Sequence, residues 1–200
     1  VVPYVMPGFD LARAVRDIWP EAAHDGTVGM VLLNHGLFTF GDDSATAYRR
    51  HVELITRAET WLDRHAPAGA GVDPGAPAPP PPAMEALAEL RRVLSEVAGR
   101  PMVVQRDASP AAVRFAARPD VASLATRGPL TPDHVIRTKR VALVGRDVAG
   151  YAAEYEAYVE RNRHRARTEI TALDPAPRVV VDASLGVLTA GATIADARIA

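Results

Sequence analysis

The 200-residue chain contains no cysteine, which excludes a disulfide framework, a thiolate nucleophile and any thiolate-ligated metal. A bound metal would have to take imidazole, carboxylate or water, and six histidines keep that option open. Aromatic residues are scarce at 6%, yet an apolar share of 48% is that of an ordinary globular chain, so any disorder is local. An excess of one charge is also lacking. The 23 basic and 24 acidic side chains leave a formal net charge of -1, with no long-range field to concentrate nucleic acid or anionic lipid. No apolar run approaches the roughly 20 residues needed to cross a bilayer. The start carries neither a basic leader nor an initiating methionine. The expectation is a cytoplasmic chain without nucleic-acid or membrane partners, excised at both ends from a longer polypeptide.

Leu11, Val15, Ile18 and Trp19 fall at helical spacing behind Asp10, a capping residue type, and Pro20 is expected to stop that helix. Val28 to Leu33 is an apolar run of strand length, broken by Asn34-His35-Gly36 and resumed over Leu37 to Phe40. Ser44 is expected to cap a helix whose buried stripe includes Tyr48, His51 or Val52, Ile55, Ala58 and Leu62. Residues 66–83 shift to proline, alanine and glycine and read as a linker or exposed loop. Helical periodicity returns over 84–98, with Gly99 at the C-cap and Pro101 beyond, and Met102 to Gln105 reads as a strand. Loops are expected across 118–139, a helix over 148–165, a strand from Val179 and the opening of a helix from Thr193.

An internal echo joins the two ends of the chain. Val31, Gly36, Thr39, Gly41 and Ala47 match Val181, Gly186, Thr189, Gly191 and Ala197, with Leu185 standing opposite His35. A diverged duplication predicts that the first copy keeps chemistry and the second serves as scaffold. By itself, an imidazole at a strand break before glycine is either a ligand aimed into a cleft or a structural turn residue.

The segments Tyr4 to Leu11 and Leu32 to Gly41, with the helix that follows, resemble the C-terminal half of the class II aldolase/adducin domain. Gly128 to Lys139 and Asp174-Pro175-Ala176-Pro177-Arg178 resemble the aldolase portion of bifunctional rhamnulose-1-phosphate aldolase/short-chain dehydrogenase proteins. The resemblance implies an α/β fold, a layered sheet flanked by helices, present as an incomplete fragment. Its parts are a first unit over 1–65, the 66–83 junction and a second, degenerate unit over 84–200. It further implies a zinc-dependent lyase acting on a sugar phosphate, a homo-oligomer, and NAD only in a downstream domain of the parent protein.

In that family an upstream His-x-His pair and the Asn-His-Gly histidine bind zinc, so only His35 maps here as a metal ligand; no catalytic residue can be placed. The chain has no His-x-His, and Ala125 and Arg127 occupy the two ligand positions in the segment from Arg118 that resembles the approach to the pair. The rival reading is a non-catalytic adducin-like scaffold.

Other polar groups have quieter readings. His24 beside Asp25 reads as a loop pair, His51 as a packing residue, Glu53 and Glu59 as solvated, and His65 as a partner for a helix C-terminus. Thr131, Asp133 and His134, with Arg137, Lys139 and Arg140, are either a phosphate site or a capped basic surface. Acidic neighbours flank the Arg161 to Arg167 run, and Tyr151, Tyr155 and Tyr158 read as a packed face.

Overall fold

The computed structural model describes residues 1–66, 84–166 and 168–200, so the expected junction, apart from Ala66, lies outside the described residues. These residues form two compact units. One comprises 1–66 with Leu130–Pro132, the other 84–129 with 133–200. Among the described residues, no helix is long and apolar enough to cross a membrane.

The first unit runs α1 (Phe9–Ala22), β1 (Gly29–Leu32), β2 (Gly36–Thr39) and α2 (Ser44–His65). β1 and β2 form an antiparallel hairpin, and Val2 makes a parallel bridge to Leu32. Val2, Leu11 and Leu32 are its buried core, with Val15, Ile18 and Met30 packed around them. Two expectations at α1 fail. The helix continues through Pro20, which forgoes the bond its amide would have made to Arg16 O, and Asp10 lies inside the helix, whose cap is Gly8.

For α2 the cap is Asp43 rather than Ser44: the Asp43 carboxylate accepts a 2.6 Å bond from the Thr46 amide, which together with the Thr46 hydroxyl lowers its pKa. The expected buried stripe of α2 is not buried. Tyr48 is 71% exposed, and Val52, Ile55 and Leu62 are exposed as well. Helical periodicity marks an apolar face, but it does not say what covers it.

The second unit begins with α3 (Met84–Ala98) and β3 (Val103–Asp107). Gly99 closes α3 in the left-handed region at φ +66°, donating to Glu96, while Arg100 donates to Ser95. Three short helices follow: α4 (Pro110–Ala116), α5 (Val121–Ala125) and α6 (Pro132–Thr138). The last two occupy the stretch read as loop, because Pro132 starts a helix at its first position instead of breaking one. β4 (Leu143–Val144), α7 (Val148–Arg163), β5 (Val179–Asp182), β6 (Gly186–Gly191) and α8 (Ile194–Ile199) complete the unit.

The sheet order is β3-β6-β5-β4, with β4 parallel to β5 and the other pairs antiparallel. The result is an α/β unit with a mixed sheet flanked by helices. Leu90 and Leu94 from α3 pack with Met102, Leu143, Val148, Val180, Leu185 and Leu188 to form the core.

The sequence echo corresponds to a shared geometry. β1–β2 pairs Gly29 with Thr39, Met30 with Phe38, Val31 with Leu37 and Leu32 with Gly36. Each β5–β6 pair is the same pair displaced by 150 residues. Phe40 N–H donates to Val28 O, as Ala190 does to Arg178, and Thr39 Oγ1 donates to Ala47 O, as Thr189 does to Ala197. Val2 N–H reaches Val31 O at 2.8 Å, as Gly145 reaches Val181 O at 2.8 Å.

Gly41 and Gly191 each sit where the following helix crosses the strand end. A Cβ on Gly191 would lie 2.5 Å from the Ala197 nitrogen, whereas one on Gly41 meets first the Thr46 side chain at 2.8 Å. Gly191→Ala is therefore expected to destabilise the second unit by about 2 kcal/mol. Gly41→Ala should cost the first unit under about 1 kcal/mol, both read from urea midpoints.

Candidate functional site

The turn between β1 and β2 is three residues long and places Asn34 at φ +54°, with Gly36 at φ +154°. Asn tolerates the left-handed region better than most residues, and glycine adopts positive φ without Cβ strain. The turn thus holds His35 at the hairpin tip, its amide bonded to Leu32 O at 3.1 Å and its ring edge-on to Phe38 at 5.7 Å. Only two polar side-chain atoms among the described residues are buried without a hydrogen-bond partner, His35 Nδ1 and Arg114 Nε.

A buried imidazole nitrogen left unpartnered costs free energy, and it suits a metal ion, which would accept its lone pair. Among the described residues no three His, Asp or Glu side chains gather around a common point. His35 thus fits one ligand position, and the remaining ligands would have to come from elsewhere.

The second hairpin has the same register but is closed. Asp182 Oδ1 accepts from the Ser184 amide, the Ser184 hydroxyl and the Leu185 amide at 2.7 to 2.9 Å. Arg146 grips both Asp182 oxygens at 2.9 and 3.0 Å. Burial alone would raise the Asp182 pKa; the guanidinium, the hydroxyl and the two amides outweigh it and hold the carboxyl at about 2. Leu185, opposite His35 in the repeat, is part of the apolar core.

Three other histidines take structural places. His24 Nδ1 accepts from the Gly26 amide in an exposed turn. Thr39 donates its single hydroxyl proton to Ala47 O, so the 3.5 Å contact with His51 Nδ1 requires the proton on that ring nitrogen. His65 stacks on Trp61 at 4.3 Å in the last turn of α2. Glu53 and Glu59 are exposed, as read.

The phosphate-site alternative for the 131–140 stretch loses its central lysine. Lys139, at φ +62°, is buried with its ammonium bonded to Asp174 O and lying 3.9 Å over the Tyr155 ring. Desolvation, reinforced by Arg178 and opposed by Asp174, pushes its pKa down to about 8. His134 and Arg137 are exposed on α6, and Arg140 lies 4.8 Å over Tyr158.

Asp174 is the hub of this cluster. Arg178 binds both of its oxygens, at 3.0 and 2.5 Å, and Arg100 adds a third contact at 3.0 Å. The two segments that carry the finer resemblance therefore meet at one partly buried ion group, where Lys139 contacts Asp174, 35 positions further along the chain. Sequence reasoning missed the cluster because nothing local pairs a lysine with a carbonyl so distant along the chain.

Tyr151 donates to Val141 O at 3.0 Å, and burial pushes its pKa up to about 12. Together with Tyr155 and Tyr158 it forms the packed face that was expected. The basic run pairs with its acidic neighbours through Arg161–Glu154 and Arg163–Glu160.

Residues 81–200 match the family described as Aldolase class II, second domain, and residues 1–62 match the Class II Aldolase and Adducin N-terminal domain. Over 99% of its length the chain is 25% identical to a Bacillus subtilis (strain 168) protein named Uncharacterized oxidoreductase YuxG. It spans only 31% of that protein. No solved structure matches the chain significantly.

Proposed function

Because the chain belongs to the class II aldolase family, we propose that His35 is one ligand of a zinc ion in a sugar-phosphate aldolase, and that the other ligands and the acid/base group lie outside these 200 residues. The observation that carries this reading is the buried, unpartnered Nδ1 of His35 at the tip of a hairpin. The substrate class is a ketose 1-phosphate such as rhamnulose 1-phosphate. It is cleaved between C3 and C4: the C4 hydroxyl loses its proton as the aldehyde departs, and C3 gains one to give dihydroxyacetone phosphate. A zinc ion held there would supply positive charge to the oxygens that become electron-rich during cleavage.

The residues of this chain contribute orientation. Asn34 and Gly36 fix the turn, and the Phe38 edge limits rotation of the imidazole. On this reading the unit over 84–200 is a degenerate copy that acts as scaffold, its Leu185, Ala125 and Arg127 standing where ligands would be. The parent enzyme is a homo-oligomer and carries its nicotinamide chemistry, if it is bifunctional, in a further domain. The oxidoreductase name of the Bacillus relative is compatible with such a fusion.

The test is metal stoichiometry on the full-length protein, its His35→Ala variant and the isolated chain. Near-stoichiometric zinc in the parent, lost in the variant and low in the isolated chain, is expected. A folded parent without zinc after zinc-supplemented purification, or a variant that retains it, would overturn the assignment in favour of the adducin-like scaffold.

A further inference from the structure

The two hairpins share their register, but their surroundings differ. Phe38 is 47% exposed where its counterpart Leu188 is 1% exposed, and Val31 is 43% exposed where Val181 is 3%. In the second unit Leu188 is covered by α3, while β3 occupies the outer edge of β6; Val181 is buried outside that cluster. Val103, Gln105 and Asp107 stand opposite Gly191, Thr189 and Val187, which correspond to Gly41, Thr39 and Leu37 in the first copy. Among the described residues no strand pairs with the outer edge of β2. An unpaired strand edge beside exposed apolar side chains is a template for one more strand.

We infer that the free edge of β2 receives an antiparallel strand led by a helix, built like Met84–Asp107, from the polypeptide that precedes Val1 in the full-length protein. The chain order of the second copy argues for that source: α3 and β3 precede β4, and the bond from Gly145 to Val181 at the end of β4 is the one Val2 makes to Val31. The greater length of the Bacillus relative leaves room for such a segment.

The same comparison says what the strand would reach. The β3 end lies against the turn equivalent to His35-Gly36: Arg106 Nε donates to Leu185 O at 2.5 Å, and a Cβ on Gly186 would lie 3.3 Å from Asp107 O and 3.4 Å from Val113. The incoming strand and the residues after it therefore enclose His35. In naming what completes that site the inference rests on the function proposed above; its geometry rests on the repeat alone.

Backbone hydrogen exchange tests it, comparing the 200-residue chain with the full-length protein. The outward amides of Leu37 and Thr39 are expected to exchange about 100-fold more slowly in the full-length protein. The Phe40 amide, already bonded to Val28, serves as the internal reference. Equal exchange of Leu37 and Thr39 in both samples would overturn the inference. So would concentration-dependent protection in the 200-residue chain, which would assign the edge to a second copy. Zinc content measured on the same samples separates the two ideas: protection without zinc sinks the metal reading alone, and zinc without protection sinks this one.

Discussion

Asp174→Ala is expected to destabilise the second unit by roughly 3 to 5 kcal/mol. Arg178 is held by both oxygens of that carboxylate, and the two side chains are only 12% and 17% exposed. Removing the anion leaves a guanidinium in a poorly hydrated place, facing the ammonium of Lys139 with nothing between them to balance the charge. Arg100 touches the same carboxylate from a half-exposed position, so Arg100→Ala should cost under about 1 kcal/mol. Replacing Asp174 and Arg178 together by leucine and methionine should recover most of the loss, because a buried pair repays its own desolvation poorly. Both tryptophans lie in the first unit. The transition to measure is therefore the urea-induced loss of circular dichroism that tryptophan emission does not follow. A single variant within 1 kcal/mol of the parent would show that water reaches Arg178 freely.

The second large effect is a dependence on alkaline pH. Burial holds the folded pKa of Lys139 at about 8, against an ordinary unfolded value near 10.4. Between those values the unfolded chain binds the proton that the folded chain has released, so stability rises with pH, by about 3 kcal/mol across the whole interval. Below pH 8 this lysine contributes no slope. Tyr151 works against it higher up: its folded pKa of about 12 exceeds the unfolded value near 10, so stability is lost above pH 10. The clean window is pH 8 to 10, where a gain of about 2 kcal/mol is expected from the lysine. Lys139→Met should flatten that slope, and a slope surviving in the variant would assign it to another group.

Hydrophobic periodicity and punctuation carried much of the fold. The hairpin around Asn34-His35-Gly36, the α3 helix with Gly99 at its end, and the strand from Val179 all stand close to where spacing puts them. Glycine spacing also pointed to the repeat: Gly41 and Gly191 both face the start of the following helix, through a side chain first at Gly41 and through its backbone at Gly191. Less was legible wherever the deciding contact leaves no mark in the residue pattern. Asp43 and Ser44 are both good caps, and only the 2.6 Å bond to Thr46 chooses between them. The short helices α5 and α6 are too brief for periodicity to register. For α2 the apolar face was readable, but its exposure was not, since amphipathicity describes one side of an interface. The candidate site was partly legible: the turn chemistry left His35 as either a ligand or a turn residue and only the family resemblance chose the ligand, while the isolation of its Nδ1 depends on packing that no local pattern encodes.

The closed turn of the second hairpin also bears on how the two copies diverged. Leu185 is a core side chain, and its amide and its carbonyl are both engaged, by Asp182 and Arg106. Restoring an imidazole there would put polar nitrogens into an apolar cavity already filled, with no partner at hand. If His35 is a metal ligand as proposed, the second copy cannot acquire one by a single substitution at Leu185, because the packed leucine and the tied-down loop leave an imidazole neither room nor a partner.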